Sequence, residues 1–203
     1  MNLSLLVHTF NGYQHLWPGF LKAWRDTWVW DNVPLYFGTD EPLDFGSVQP
    51  FDVLYSGAGE WSDRLKSLLR DIPTEYILYM QEDHYPKISA HWLAGKIGIV
   101  QKYDLLRLQL SPIVPFYKLN GTGELLFFDP SSKYLVSHQP SIWKKSFLLD
   151  CLKPGETPWQ NEYKGTLRLQ QNSQIRNYIK DKIAIYPCDW YKHMCIKGKV
   201  VES

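Results

Sequence analysis

The sequence predicts an α/β fold: a mixed, mostly parallel central sheet flanked by helices, with a small antiparallel ribbon in the later half. Three observations predict it. Short apolar runs alternate with longer amphipathic stretches over about the first eighty residues, the rhythm of repeated strand-helix-strand units. Tyr76-Ile77-Leu78-Tyr79-Met80 is an unbroken apolar run, which is how a strand covered on both faces reads. That run leads into Gln81-Glu82-Asp83-His84, setting two carboxylates and an imidazole at a strand's C-terminal end, where open α/β sheets bind their ligands.

Taken in order, Leu3–His8 reads as a first strand. Residues 13–28 carry Leu16, Phe20, Leu21, Trp24 and Trp28 at three- and four-residue intervals, which predicts a helix with one apolar face, and Pro18 falls in its first turn, where it is tolerated. Residues 34–38 and 52–55 are the next strands, with Asp40-Glu41-Pro42 and Gly46 supplying turn chemistry between them. A helix over 62–70 has Ser62 as its expected N-cap, turns Leu65, Leu68 and Leu69 inward, and is stopped by Pro73. The run at 76–80 is the expected central strand. Another helix is predicted over 89–102 and another strand over 104–110. The rhythm then fades. Pro112, Pro115, Gly121, Gly123 and Pro130 punctuate two apolar runs, 125–128 and 134–137, expected to pair as the antiparallel ribbon. Residues 142–152 and 159–171 read as helices and 183–186 as a last strand, followed by a tail rich in Lys and His.

At 203 residues the chain is long enough for one sizeable core and short for two domains, so a single domain over 1–203 is expected. With 44% apolar residues, 21% charged and a net charge of +1, it has the profile of a soluble globular protein. The near-neutral balance argues against nucleic acid as main partner, since phosphate-backbone binding needs a concentrated basic surface. No apolar run approaches the roughly 20 residues that span a bilayer, and no basic-then-apolar leader precedes the first strand, so a cytoplasmic location is expected. Cys151, Cys188 and Cys195 match no metal-ligand spacing and read as reduced thiols. Aromatics make up 15% of the chain, with nine Trp and thirteen Tyr. They serve a bulky core, a groove that stacks on the C–H faces of sugars, or both.

Adjacent carboxylates after a buried strand repel each other and lose hydration, so they call for compensation. A divalent cation supplies it: Mg²⁺ or Mn²⁺ is held by one or two carboxylates and completes its shell with substrate phosphates and water. The alternative is a solvated turn with both acids in water. His84 either ligates or packs.

At this point the chain resembles the GT-A (Rossmann-like) glycosyltransferases, which carry an acidic Asp-x-Asp-type motif after a central strand. Tyr79-Met80-Gln81-Glu82-Asp83 is similar to that motif, with Gln81 and Glu82 where its first Asp is expected. Val7-His8-Thr9-Phe10-Asn11 and Gly38-Thr39-Asp40 resemble the two loops that meet the nucleotide, and Trp61-Ser62-Asp63-Arg64 the helix start that contacts base, ribose or phosphates. Ser137-His138-Gln139-Pro140-Ser141-Ile142-Trp143 and Pro158-Trp159-Gln160-Asn161-Glu162 are similar to the acceptor side. In size and layout the small glycosyltransferase domain encoded by chlorella viruses is similar too.

The resemblance implies a nucleotide-sugar-binding half over about 1–110 and an acceptor-binding half over about 111–203. It implies transfer of a sugar from a nucleoside diphosphate, with UDP favoured, to a glycan or glycoconjugate hydroxyl with inversion. Glu162 is then the catalytic base. His8, Thr9, Asn11, Asp40, Ser62, Arg64, Glu82 and Lys197 are implied donor contacts. Asp83, Glu82 and His193 are implied metal ligands for Mn²⁺ or Mg²⁺. Each has a plainer reading: Glu162 as a helix-dipole acid, Arg64 as partner of Asp63 or Asp71, Asp40 as an ordinary turn residue, His193 and the lysines as a soluble end. Trp143 and Trp159 are candidates for an acceptor platform or for the core. Two other functions fit the sequence less fully: a Mg-dependent phosphoesterase or nucleotide hydrolase, which brings carboxylates from several strands, and a non-catalytic carbohydrate-binding domain, which leaves the acidic tip without purpose. Further domains in a longer parent protein are compatible with all of these.

Overall fold

Alternation of side chains across a strand explains how the first and central strands bury completely. Leu3, Leu5 and Val7 of β1 (Leu3–His8) join one apolar cluster while Leu6 joins another on the opposite face, and β4 (Tyr76–Gln81) splits Leu78 and Met80 from Ile77 and Tyr79 in the same way. β4 is therefore covered on both faces, as its unbroken apolar run predicts. The computed structural model describes residues 2–28, 32–43, 48–89, 92–196 and 199–200. Gly46 and Lys197 lie outside the described residues.

A 3₁₀ turn, Asn11–Leu16, leads into α1 (Trp17–Thr27), so the helix expected from residue 13 is preceded by a tighter segment, with Pro18 in the helix's first turn. Next come β2 (Leu35–Thr39), β3 (Asp52–Tyr55), α2 (Trp61–Asp71), the central β4, β5 (His84–Pro86), α3 (Leu93–Lys102) and β6 (Arg107–Ser111). The later half holds β7 (Leu119–Asn120), β8 (Leu126–Phe128), β9 (Ser141–Lys144), α4 (Lys145–Cys151), α5 (Pro158–Gln171), α6 (Ser173–Ile179), β10 (Ile183–Pro187), β11 (Tyr191–His193), β12 (Cys195–Ile196) and β13 (Lys199–Val200). No described helix is long and apolar enough to cross a membrane.

One sheet runs in the order β3-β2-β1-β4-β9-β6-β10-β8-β7. Strands β3, β2, β1 and β4 are mutually parallel, and β6 is parallel to β10, whereas β9 is antiparallel to both β4 and β6. β1 lies between β2 and β4, so the strand order reverses beside it and opens a crevice at the C-terminal ends of β1 and β4. α1 and α3 pack with the Leu5 face, and α2 and α4 with the Leu6 face. Gly38 lets α2 approach β2: a Cβ there would sit 2.5 Å from Leu68 Cδ1.

Three sequence expectations change. The helix predicted over 142–152 is a strand, Ser141–Lys144, followed by a short helix, because Ile142 and Trp143 are buried between β4 and β6 and sheet pairing there outweighs helical periodicity. The ribbon forms between β7 and β8, with β8 also joining β10, and residues 134–137 are not a strand. The strand expected from residue 104 begins at Arg107, since Asp104 takes a left-handed turn (φ 46°) after α3.

Candidate functional site

The acidic tip is a two-residue turn, Glu82-Asp83, between β4 and β5. β5 pairs antiparallel with β11, setting His193 opposite His84 across the register. Asp83 is thereby held from the later part of the chain: its Oδ2 lies 2.9 Å from His193 Nε2 and its carbonyl accepts from the Met194 amide at 2.7 Å. The His84 and His193 rings stack at 4.8 Å between centroids. Ligand atoms of Asp83, His84 and His193 all lie within 4.8 Å of one another.

Electrostatics separates the two acids. Burial pushes the Glu82 carboxyl up to about 8, with the Asp83 charge adding to it. For Asp83 burial also acts upward, but the His84 and His193 imidazoles bring it below the ordinary carboxylate value. Glu82, 3% exposed, bonds the Thr9 side chain and stands apart from the Asp83, His84 and His193 group. Asp83 Oδ1 is buried without a hydrogen-bond partner. The facing His84 Nδ1, 3.4 Å away, accepts from the Gln81 amide and has no proton to offer it. An orphaned carboxylate oxygen, with the His193 imidazole at the other oxygen of the same group, fits a divalent cation.

A cavity of about 380 Å³ opens over this tip, walled by His8, Thr9, Arg64, Glu82, Asp83 and Glu162 among others. His8 and Thr9 end β1. His8 Nδ1 sits 3.4 Å from the Tyr79 hydroxyl, burial holds the imidazole well below its ordinary value, and Thr9 Oγ1 accepts from Trp17 Nε1 at 2.9 Å. Arg64 pairs with neither Asp63 nor Asp71: among the described residues its contacts are the Gly59 carbonyl, 2.9 Å from Nη1, and the Phe10 ring, 5.0 Å from the guanidinium carbon.

Glu162 is not a first-turn acid. Thr157 caps α5 through a reciprocal capping box with Gln160, which places Glu162 a turn further in. Its Oε1 accepts from the His138 amide at 2.7 Å, and burial raises its carboxyl above the ordinary value. Glu162, Gln139 and His193 also wall a second cavity of about 460 Å³, so these three residues stand where the two cavities meet.

Other predicted residues sit elsewhere. Asn11 and Asp40 are brought together, the Asn11 amide donating to Asp40 Oδ1 at 2.8 Å, but outside the cavity wall. Ser62 does not cap α2, whose N-cap position is Glu60; it is buried and its Oγ accepts from the Glu156 amide at 2.9 Å, fastening α2 to the segment before α5. Trp143 is fully buried core, whereas Trp159 is 65% exposed at the cavity rim. The aromatics of the second cavity, Phe116, Tyr117 and Tyr134, escaped sequence reading. Their signal was Phe116-Tyr117 just after Pro115, in a loop with no apolar periodicity to absorb two rings.

No protein-family model matches the sequence, and no curated protein matches it. Solved structures do. S. aureus TarS 1–349 in complex with UDP-GlcNAc superposes with a TM-score of 0.62 at 14% identity, covering 94% of this chain and 57% of the 1–349 chain. The chain has a GT-A-like fold. The UDP complex of TarS 1–349 gives the same TM-score at 13% identity, covering 94% and 59%. CMP:2-keto-3-deoxy-manno-octonic acid synthetase complexed with CTP gives 0.57 at 12% identity, covering 93% and 90%. At such identities the likeness concerns the arrangement of the backbone, and the chain spans under two thirds of the TarS structures it matches. Within the GT-A-like frame, the tip after the central strand and the cavity above it occupy the crevice at the reversal of strand order.

Proposed function

We propose that the protein transfers a sugar from a nucleoside-diphosphate sugar, UDP-linked by preference, to a hydroxyl of a glycan acceptor, with inversion. The observation that carries this reading is the place of Glu162, a half-buried carboxylate at the junction of two cavities, one of which also holds Asp83. The choice of UDP is supported by the similar structures, which hold UDP-GlcNAc and UDP. Residues 1–110 form most of one wall of the donor side and later residues the acceptor side, but the donor cavity is closed by later residues as well, His138, Glu162 and His193 among them.

Glu162 takes the proton of the acceptor hydroxyl as that oxygen bonds the anomeric carbon and the bond from that carbon to the diphosphate breaks. Burial makes it a stronger base than a solvated carboxylate, and the His138 amide fixes its aim. Arg64 is free of ion pairs among the described residues and suits a donor phosphate. Asp83 and His193 would hold the cation, Mn²⁺ or Mg²⁺, with donor phosphates and water completing its shell. When bound there, the ion supplies positive charge against the departing diphosphate. Lys197 remains a proposed diphosphate contact on sequence alone.

Calorimetric titration with UDP and GDP, with and without Mn²⁺, tests the donor site. We expect Mn²⁺-dependent binding of UDP that weakens at least about tenfold in Asp83→Asn, since a charged ligand is lost. Absence of nucleotide binding under either condition would overturn the reading.

A further inference from the structure

The second cavity is held open by a buried polar network that the donor chemistry does not use. Arg107 is fully buried and, among the described residues, has no carboxylate partner, an arrangement that costs free energy unless the guanidinium is spent on hydrogen bonds. Its Nη1 donates to the carbonyls of Tyr134 at 3.4 Å and Leu135 at 2.9 Å, and its Nη2 to Gln109 Oε1. Gln109 Nε2 in turn donates to Ser111 Oγ at 2.6 Å and the Tyr117 hydroxyl at 2.9 Å. The network thus ends on the cavity wall and fixes Tyr134, a non-glycine residue in the left-handed region (φ 60°).

What it fixes is an open aromatic corner. Phe116 is 50% exposed, and its ring centroid lies 5.5 Å from that of Tyr134 and 5.3 Å from that of Tyr117. Tyr117 accepts from Gln109 and so keeps its own proton to donate. Across the cavity Tyr191 donates to Gln139 Oε1 at 2.5 Å. Among the described residues that line the cavity none is Lys or Arg, and Glu162 stands at its inner end. A phosphate or carboxylate at the Phe116 corner would meet the Glu162 carboxylate and no Lys or Arg side chain of the cavity wall.

We infer that this cavity seats a neutral pyranose of the acceptor, its C–H face on Phe116 and Tyr134 and its reacting hydroxyl toward Glu162. The inference rests on the transferase reading and names the acceptor chemistry of that site. A volume of about 460 Å³ suits a small-molecule ligand. Aromatic faces select apolar ring surface, while the hydroxyl and amide groups of Tyr117, Ser111 and Gln139 match sugar hydroxyls.

Saturation-transfer NMR in the presence of UDP and Mg²⁺, a diamagnetic substitute for Mn²⁺, tests it, with methyl β-D-glucopyranoside, methyl β-D-galactopyranoside and methyl α-D-mannopyranoside as neutral probes and glucose 6-phosphate and glucuronic acid as anionic ones. At least one neutral glycoside should bind, the anionic sugars should not, and Phe116→Ala should weaken the glycoside about tenfold, the loss of one stacking contact. The inference is overturned if no neutral glycoside binds, if an anionic sugar binds as well, or if Phe116→Ala changes nothing. UDP affinity on the same samples separates the two readings: retained UDP binding without glycoside binding removes this inference alone, and glycoside binding without UDP removes the donor reading alone. Loss of both in the unaltered protein removes both.

Discussion

As the proposed base, Glu162 would have to meet two demands that conflict in water: to be dry enough to be basic, and to face a hydroxyl. The backbone amide of His138 resolves this by aiming the carboxylate without neutralising it. Glu162→Gln keeps shape and removes basicity, so kcat of transfer should fall about 10²–10⁴-fold, with UDP affinity unchanged by calorimetry. His138 makes a second prediction. Its imidazole is pushed down to about 3 by burial, against 6.5 when exposed, and His8 is lowered in the same direction. The folded protein therefore cannot take up protons that the unfolded chain accepts. Stability is complete above about pH 6.5 and declines as pH falls below it, by about 1.4 kcal/mol per pH unit for each such histidine. Urea unfolding at pH 7 and pH 5 should show a loss of about 2 kcal/mol from His138 alone; an unchanged midpoint would contradict its burial as a neutral ring. Glu82 and Asp83 stood out in the sequence because charge directly after an apolar run is conspicuous, whereas Glu162 was singled out only by the resemblance of its segment to an acceptor-side helix. Ser62 was misread because a serine at a helix start looks the same whether it caps the helix or, as here, bonds a distant amide.

Among the elements, α5 shows how Glu162 is kept in register. Its capping box starts it, and Arg168 reaches back from its later turns to Glu156, Nη1 to Oε1 at 2.7 Å and Nη2 to Oε2 at 3.0 Å, while Asn161 bonds both Glu156 and the Cys151 carbonyl. Glu156→Ala should destabilise the protein by about 1.5–3 kcal/mol, the value of hydrogen bonds to a charged group, measured by urea unfolding at pH 7. A loss below experimental error would mean that α5 holds its place by packing alone. Most elements were readable: β1 and β3 match their expected bounds residue for residue, and β4 and β10 within one residue at an end. β9 was not, since Ser141-Ile142-Trp143-Lys144 carries no more strand signal than its helical continuation, and only pairing on both sides decides its state. β5 and β11 are three residues each, too short to leave a period in the sequence.

At the scale of the molecule, β9 is the shared wall between the strand group β3-β2-β1-β4 and the group β6-β10-β8-β7. Trp143 at its centre is fully buried and packs on Phe147 and beneath His138. Trp143→Ala should cost about 3–5 kcal/mol, and both groups should melt together, so circular dichroism and UDP protection should report one coincident transition. Two separate transitions would show that the groups fold independently. The parallel half of the sheet was legible because repeated units leave a rhythm; its union with the antiparallel half was not, because β9 pairs with strands distant in sequence. The β5–β11 pairing carries one more consequence. Asp83 meets His193 across a separation of 110 residues. During synthesis, at about 5–20 residues per second, the proposed cation site has Asp83 without His193 for roughly 5–20 s. Under the proposed function, an unfinished chain thus lacks a ligand of its own donor site, and the order of manufacture itself would keep it from hydrolysing the donor before residue 193 has left the exit tunnel.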